Sequence, residues 1–352
     1  MIRPSIRPWV GIARLRYIAA LIALMLAGLA LPNAHATPIT IEWVTVGDSG
    51  NAADTTGYGT VNDSFRIMKF EFTNLQYTNF LNVVAATDPY SLYNTTMGSN
   101  VRGGITRSGS SGSFTYSVKP NMGDKPVNYV SWFDAARVAN WLQNGQGSGS
   151  TETGAYTLSG AEPGVAVAVN PGALYFLPTE NQWYKAAYYN PALNNGAGGY
   201  HVYGNGFDDA PGLVSANEFG VGSAGDTGNF ANYGSGAIWN SQTGNVTTVG
   251  TNGGASAYGA FDMSGNVFEW NDLDGLAASG SARGLRGGDW TSAASNLSSS
   301  DRLTFGPFFQ PNTIGFRLAS PVAVPEPSTW VMGLAGIACG GWQVYRRRRK
   351  RA

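Results

Sequence analysis

Asp262 and Glu269 flank a glycine-bearing turn in Phe261-Asp262-Met263-Ser264-Gly265-Asn266-Val267-Phe268-Glu269-Trp270. Two carboxylates and the turn carbonyls between them are hard oxygen donors at short spacing, a set able to surround Ca²⁺. Gly265, with Gly287 and Gly288 further on, permits backbone conformations that a Cβ would forbid. The plainer alternative is a glycine-rich turn between core strands with two solvated carboxylates. Composition excludes several other chemistries. The one cysteine, Cys339, sits in an apolar run near the C-terminus, so the body has no disulfide, thiol nucleophile or cysteine metal site. Beyond residue 36 the only histidine is His201, whereas histidine-based zinc or iron sites need two or more such ligands. No serine sits in a G-x-S-x-G setting that would mark a hydrolase nucleophile.

The turn belongs to a longer pattern. Gly259-Ala260-Phe261-Asp262-Met263-Ser264-Gly265-Asn266-Val267-Phe268-Glu269-Trp270 is followed by Leu285-Arg286-Gly287-Gly288-Asp289-Trp290 and Gly315-Phe316-Arg317. Upstream stand Lys69-Phe70-Glu71-Phe72-Thr73-Asn74, Pro126-Val127-Asn128-Tyr129-Val130-Ser131-Trp132-Phe133-Asp134-Ala135 and Leu177-Pro178-Thr179-Glu180-Asn181-Gln182-Trp183. In this order the blocks resemble the signature of the sulfatase-modifying-factor family, the formylglycine-generating-enzyme-like domains. The resemblance implies a compact, loop-rich α+β fold related to the C-type lectin-like fold. It implies a Ca²⁺ site with side-chain ligands Asp262 and Glu269 and carbonyl ligands Gly265 and Val267. A second, less complete match places another Ca²⁺ site at Asn232 and Tyr233.

The family's best-known activity oxidises a sulfatase cysteine to formylglycine with O₂ and two active-site cysteines, which hold Cu(I) in the copper-dependent form. Those cysteines fall at Ser292 and Leu297 here. Serine oxygen is a hard, weakly acidic donor and leucine has none, whereas Cu(I) selects thiolates. The resemblance therefore leads to an expected loss of oxidase activity, with no copper and no catalytic residue assigned. Asp289 also replaces the family's serine.

Both ends look like sorting signals. Arg3, Arg7, Arg14 and Arg16 precede an apolar run and Ala34-His35-Ala36, a pattern expected of a signal peptide over residues 1–36, cleaved by signal peptidase. The domain is expected over 37–320, then a linker over 321–329 carrying Pro325-Glu326-Pro327. Residues 330–352 hold an apolar run and the basic cluster Arg346–Arg351. That run is short against the roughly 20 residues of a stable span, and the cluster would stay cytoplasmic. The trio resembles the PEP-CTERM sorting signal of Gram-negative bacteria. It implies transient anchoring in the inner membrane, cleavage by an exosortase, and release to the cell surface or beyond.

Net charge is zero, but four arginines lie before residue 37 and six basic residues lie in the tail, leaving 12 Lys and Arg against 22 acids elsewhere. An acidic body argues against nucleic acid, whose phosphates demand a basic face. Exposed Trp and Tyr with Asn and Asp suit carbohydrate, since rings stack on sugar faces while amides bind hydroxyls.

The elements that would position these residues are short. Strands are expected at Ile39–Val44, Phe65–Phe72, Leu303–Phe309 and Ile314–Leu318. One helix is expected over Asn74–Ala85 with Leu75, Phe80, Leu81 and Val84 on its apolar side. Ser131 with Asp134, and Thr179 with Gln182, are helix-capping pairs. Ser99–Ser117 reads as a long loop ending in a short strand. Residues 190–255 read as a loop region either functional or held by something other than an apolar core. The favoured function is a Ca²⁺-stabilised binding or structural module, exported and surface-sorted, with extracellular polysaccharide or another surface protein as partner. The alternative is an enzyme of the same fold, formylglycine-generating or otherwise metal-dependent.

Overall fold

The computed structural model describes residues 38–158 and 166–322; the predicted signal peptide, the Pro325-Glu326-Pro327 motif and the apolar tail lie outside them. Among the described residues no helix is long and apolar enough to cross a membrane. Among the described residues three helices carry eight residues or more: α1 (Asn74–Val84), α2 (Trp132–Gln143) and α3 (Glu180–Tyr188). All three start at a reciprocal capping box, in which a hydroxyl and a side chain three residues on satisfy each other's backbone N–H. The pairs are Thr73 with Gln76, Ser131 with Asp134, and Thr179 with Gln182. The last two follow from the sequence as expected, and the first adds a third.

The strands are shorter than the sequence suggests. β1 (Trp43–Val46), β2 (Phe65–Met68) and β9 (Ala319–Pro321) form an antiparallel sheet with β2 in the middle. A hairpin joins β3 (Ile105–Ser108) and β4 (Thr115–Val118); β4 is the short strand expected at the end of this stretch, while β3 corrects part of the expected loop. The second sheet runs β7 (Leu303–Phe305), β6 (Arg283–Arg286), β5 (Phe268–Asn271), β8 (Ile314–Gly315). Its pairings are antiparallel except β5 with β8, which are parallel. This small helical content and these open sheets make a mixed α+β fold.

Every residue of β5 and of β6 is buried. A strand buried on both faces admits a charged side chain only with a partner, because an unpaired ion loses its hydration there. Register sets those partners. Glu269 stands opposite Arg286 on one side and Gly315 on the other, with Arg317 two residues beyond.

One apolar cluster packs α1 and α2 against β5, with Phe80, Trp132, Trp141 and Trp270 at its centre. Another packs Trp183, Ala186 and Ala187 of α3 against Ile67 and Met263. In α1 the buried face runs through Tyr77, Phe80 and Leu81, while Leu75 is 49% exposed, correcting its expected place on the apolar side. Leu75 lies in the first turn, where the chain arrives from Thr73, and its side chain lines a surface cavity instead.

Asp134 closes the α2 capping box and is itself buried. Its Oδ2 accepts hydrogen bonds from Ser131 N, Ser131 Oγ and Gln310 Nε2. Burial nevertheless pushes its carboxyl up from 3.8 to about 6, against the pull of those bonds. A folded value above the unfolded one means that Asp134 contributes most stability below about pH 4, and that this contribution is lost as pH rises towards 6. Asp134→Asn keeps an acceptor and removes the titration. Urea unfolding at several pH values is expected to show the variant gaining on the parent between about pH 4 and 6, with a constant difference above that range. A difference that does not change with pH would refute the assignment.

Candidate functional site

The turn of Asp262 to Trp270 sits at the junction of both sheets. Asp262 and Asn266 adopt left-handed backbone, as does Gly265 at φ 88°. A Cβ on Gly265 would lie 2.4 Å from the carbonyl oxygen of Asn232, so this close crossing of two loops requires glycine. The backbone N–H of Asn266 donates to that same carbonyl at 2.8 Å. Gly265 and Asn232, predicted for two separate calcium sites, are thus neighbours.

Neither predicted carboxylate is solvated, which removes the plainer reading of the turn. Glu269 is completely buried, and Arg317 grips it with Nε to Oε2 and Nη2 to Oε1, both at 2.6 Å. The indole nitrogen of Trp183 adds a hydrogen bond to Oε2 at 2.7 Å. Arg317 also donates to the carbonyls of Phe261 at 2.8 Å and Met68 at 3.1 Å. The cation that binds Glu269 and the loop carbonyls here is therefore a guanidinium. Both oxygens of Glu269 are thus engaged by protein donors.

Asp262 accepts from Gly250 N at 2.5 Å and from Asn252 Nδ2 at 2.8 Å. Next to it lies Glu71, fully buried, whose Oε1 accepts from Asn266 Nδ2 at 3.0 Å and whose Oε2 has no partner. Burial, then the charge of Asp262, holds the Glu71 carboxyl well above the usual carboxylate range. Burial likewise raises Asp262. Three carboxyl groups thus surround one arginine, and a proton retained on Glu71 reduces the buried negative charge.

Amides carry the network onward. Asn252 Oδ1 accepts from Thr247 Oγ1 at 2.6 Å. Asn232 Nδ2 reaches the Asn245 carbonyl at 2.9 Å and Thr247 Oγ1 at 3.0 Å, while its Oδ1 is buried without a partner. The carbonyl of Tyr233 accepts from Gly236 N in a turn. Among the described residues the carbonyls of Gly265 and Val267 accept no hydrogen bond. Also among the described residues, no three acidic, histidine or cysteine side chains converge on one metal position.

Ser292 and Leu297 bracket a short 3₁₀ turn over Ala294–Leu297. Ser292 Oγ accepts from Asp289 N at 3.0 Å, and its hydroxyl donates to Asp289 Oδ1 at 3.2 Å. Asp289 also takes Thr291 N and Oγ1, both at 2.6 Å, so the residue that replaces the family's serine ties this loop together. Leu297 is fully buried with Tyr203 and Ala231, and its Cδ1 fills the space beside Gly288.

Two further buried pairs were not read from the sequence. Arg286 donates through Nε and Nη2 to Glu180 Oε1 at 2.9 and 2.7 Å, and Arg302 Nε reaches both Glu180 oxygens. Arg283 lies 3.1 Å from Asp272 and over the ring of Trp132. For Glu71, Glu269 and Arg317 the available signal was their place beside aromatic residues in a quoted block; Glu180 and Arg286 had no such setting. His201 contacts Asp208 at 3.2 Å and Asn190 at 3.3 Å, and has no carboxylate–serine pair around it.

Removing Arg317 leaves Glu269 buried and unpaired, which costs about 3–5 kcal/mol. Arg317→Met is therefore expected to lower the urea midpoint sharply, and adding Glu269→Gln to recover a large part of the loss. No recovery in the double variant would show that packing, and not charge pairing, is what Arg317 supplies.

Among solved structures, CarF is 24% identical over 80% of this chain and 99% of its own, with a TM-score of 0.49. Treponema denticola variable protein 1 is 18% identical over 82% of this chain and 97% of its own, with a TM-score of 0.47. PvdO from Pseudomonas aeruginosa is 19% identical over 81% of this chain and 93% of its own, with a TM-score of 0.39. No curated protein matches the chain. The model of the sulfatase-modifying factor enzyme 1-like domain matches residues 44–322, and the chain belongs to that family.

Proposed function

We propose that this protein is an exported binding or structural module that has lost formylglycine-generating activity. The observation that carries the reading is the pair of family cysteine positions. Ser292 Oγ is engaged with Asp289, and Leu297 is packed into the interior. Neither supplies sulfur, so a thiol cycle has no reactant there and Cu(I) has no soft ligand. Export rests on the signal-peptide-like start and on the Pro325-Glu326-Pro327 motif with its basic tail. In this reading signal peptidase and exosortase process the two ends, and the body reaches the cell surface. Kinship with the C-type lectin-like scaffold is part of the same proposal.

The ligand in this reading is extracellular polysaccharide. Supporting it is a row of outward aromatic rings on the loop after β7. Phe308 is 70% exposed, Phe309 45% and Phe305 39%. The loop is held rigidly, with Trp132 N donating to the Pro307 carbonyl and Tyr129 N to that of Pro311. Phe305 and Phe309 stack 4.9 Å apart, and Phe308 stacks on Phe133 at the same distance, leaving flat faces outward. Such faces suit the C–H side of sugar rings.

Calcium belongs to the proposal. Asp262, Glu269, Asn232 and the carbonyls of Gly265, Val267 and Tyr233 would hold the ion, which would compete with the protein donors now on both carboxylates. One feature of the donor chemistry fits: Asn232 Oδ1 is a buried oxygen without a partner, which a hard cation would satisfy. The ion would cross-link the loops of 190–255 and offset the charge of Asp262.

Two measurements check this reading. Incubated with copper and a sulfatase-derived cysteine peptide, the protein is expected to leave the peptide mass unchanged; a mass loss at the cysteine would overturn the proposed loss of activity. On a glycan array it is expected to retain polysaccharide in the presence of Ca²⁺ and to release it with EDTA. Binding to no glycan at all would remove the polysaccharide assignment.

A further inference from the structure

A cavity of about 400 Å³ opens beside the N-terminal turn of α3, away from Ser292 and Leu297. Tyr58, Glu180, Asn181, Asp274, Leu276 and Arg302 shape it. The polar groups in this wall are unequal in kind. Arg302 uses only Nε within the protein, placing it 2.6 and 2.8 Å from the two oxygens of Glu180. Among the described residues its Nη1 and Nη2 have no acceptor, and the side chain is 35% exposed. Asn181 accepts from Gly59 N through Oδ1 at 2.9 Å, which fixes the amide orientation and leaves Nδ2 without an acceptor. Two guanidinium nitrogens and an amide nitrogen therefore face one cavity with nothing to donate to.

The support behind these donors is rigid. Glu180 is 4% exposed and is held from its other side by Arg286, whose Nη1 is tied to the carbonyls of Ser299 and Asp301. Tyr58 lies under both arginines, at 4.8 Å from Arg286 and 5.7 Å from Arg302. Glu180 is shared by two guanidinium groups, and Asp274 brings the formal charge of the cavity and its support to zero. Asp274, at the rim, spends Oδ1 on Leu276 N at 2.9 Å and leaves Oδ2 as an acceptor. Leu276, 66% exposed, adds an apolar edge.

We infer that this cavity binds a carboxylate, with the two carboxylate oxygens on the Nη1–Nη2 side of Arg302 and a third hydrogen bond from Asn181 Nδ2. A guanidinium presents parallel N–H groups at the spacing of carboxylate oxygens, which a lysine ammonium cannot do. Leu276 and Tyr58 would cover the carbon skeleton, and Asp274 would accept from a hydroxyl beside it. Both a small organic acid and an acidic sugar carry this chemistry. The inference does not depend on the polysaccharide reading, because acetate alone is enough to detect the site.

The test is calorimetric titration of the full chain with sodium acetate, sodium glucuronate and glucose. Acetate and glucuronate are expected to bind and glucose to give no heat. Equal affinities for the two acids assign the site to the carboxylate alone, whereas tighter glucuronate binding assigns it to an acidic sugar. Arg302→Lys keeps the charge beside Glu180 but removes the fork, and is expected to weaken binding about tenfold or more. Asn181→Asp keeps the acceptor for Gly59 N and replaces the donor with a negative charge. It is expected to weaken binding at least as much with an unchanged melting temperature, and it serves alone should the arginine variant fail to fold. Glucose binding as tightly as glucuronate, no heat from either acid to about 10 mM, or parental affinity in Asn181→Asp would each overturn the inference.

Discussion

Glu269 is a carboxylate in the middle of a strand that is buried on both faces, and the surrounding structure is arranged to make that tolerable. An ion there loses its hydration, and only a guanidinium and an indole at hydrogen-bond distance replace it. Arg317 can take that place because β8 runs parallel to β5 and ends beside Glu269. The same guanidinium reaches back to the carbonyls of Met68 and Phe261. One side chain thus joins the two sheets and the turn between them. Such pairs are weak sources of net stability but strong constraints on register, since a slip by one residue strands both charges.

The region of 190–255 is organised by a related principle. It has few large aliphatic side chains, and its interior combines small apolar clusters around Trp239, Val246 and Tyr203 with buried amides and hydroxyls, among them Asn232, Asn245, Thr247 and Asn252. Each amide both donates and accepts, so a handful can close many loop backbone groups that would otherwise be buried without partners. The loops, read from the sequence as either functional or held by something other than an apolar core, are held by this network together with the small apolar clusters. The unpartnered oxygens of Asn232 and Glu71 mark where it is incomplete.

How much was legible depended on how local the cause was. Two capping boxes were readable because each is decided within a few residues. The hairpin of β3 and β4 was not, since its strands carry too little alternation to stand out from a Gly/Ser-rich stretch. The exposure of Leu75 was missed because periodicity describes one helix and not the place where a chain enters it. The carboxylates were singled out correctly as unusual, but their partners were not: Glu269 and Arg317 are 48 positions apart, as the sequence numbering makes plain.

Taken alone, the sequence determined which chemistry is open to this chain. A single cysteine in the tail, serine and leucine at the family cysteine positions, and one histidine in the body are facts of composition that no folding can change. Charge signs and cap residues likewise act at short range. The tertiary structure decided what the charges do. It set Glu269 against Arg317 and Glu180 between two arginines, and brought Arg302 to the wall of a cavity. Those outcomes follow from strand register and loop crossings, which bring together residues far apart in the chain, and the energy that selects them exists only when water has been excluded from between them.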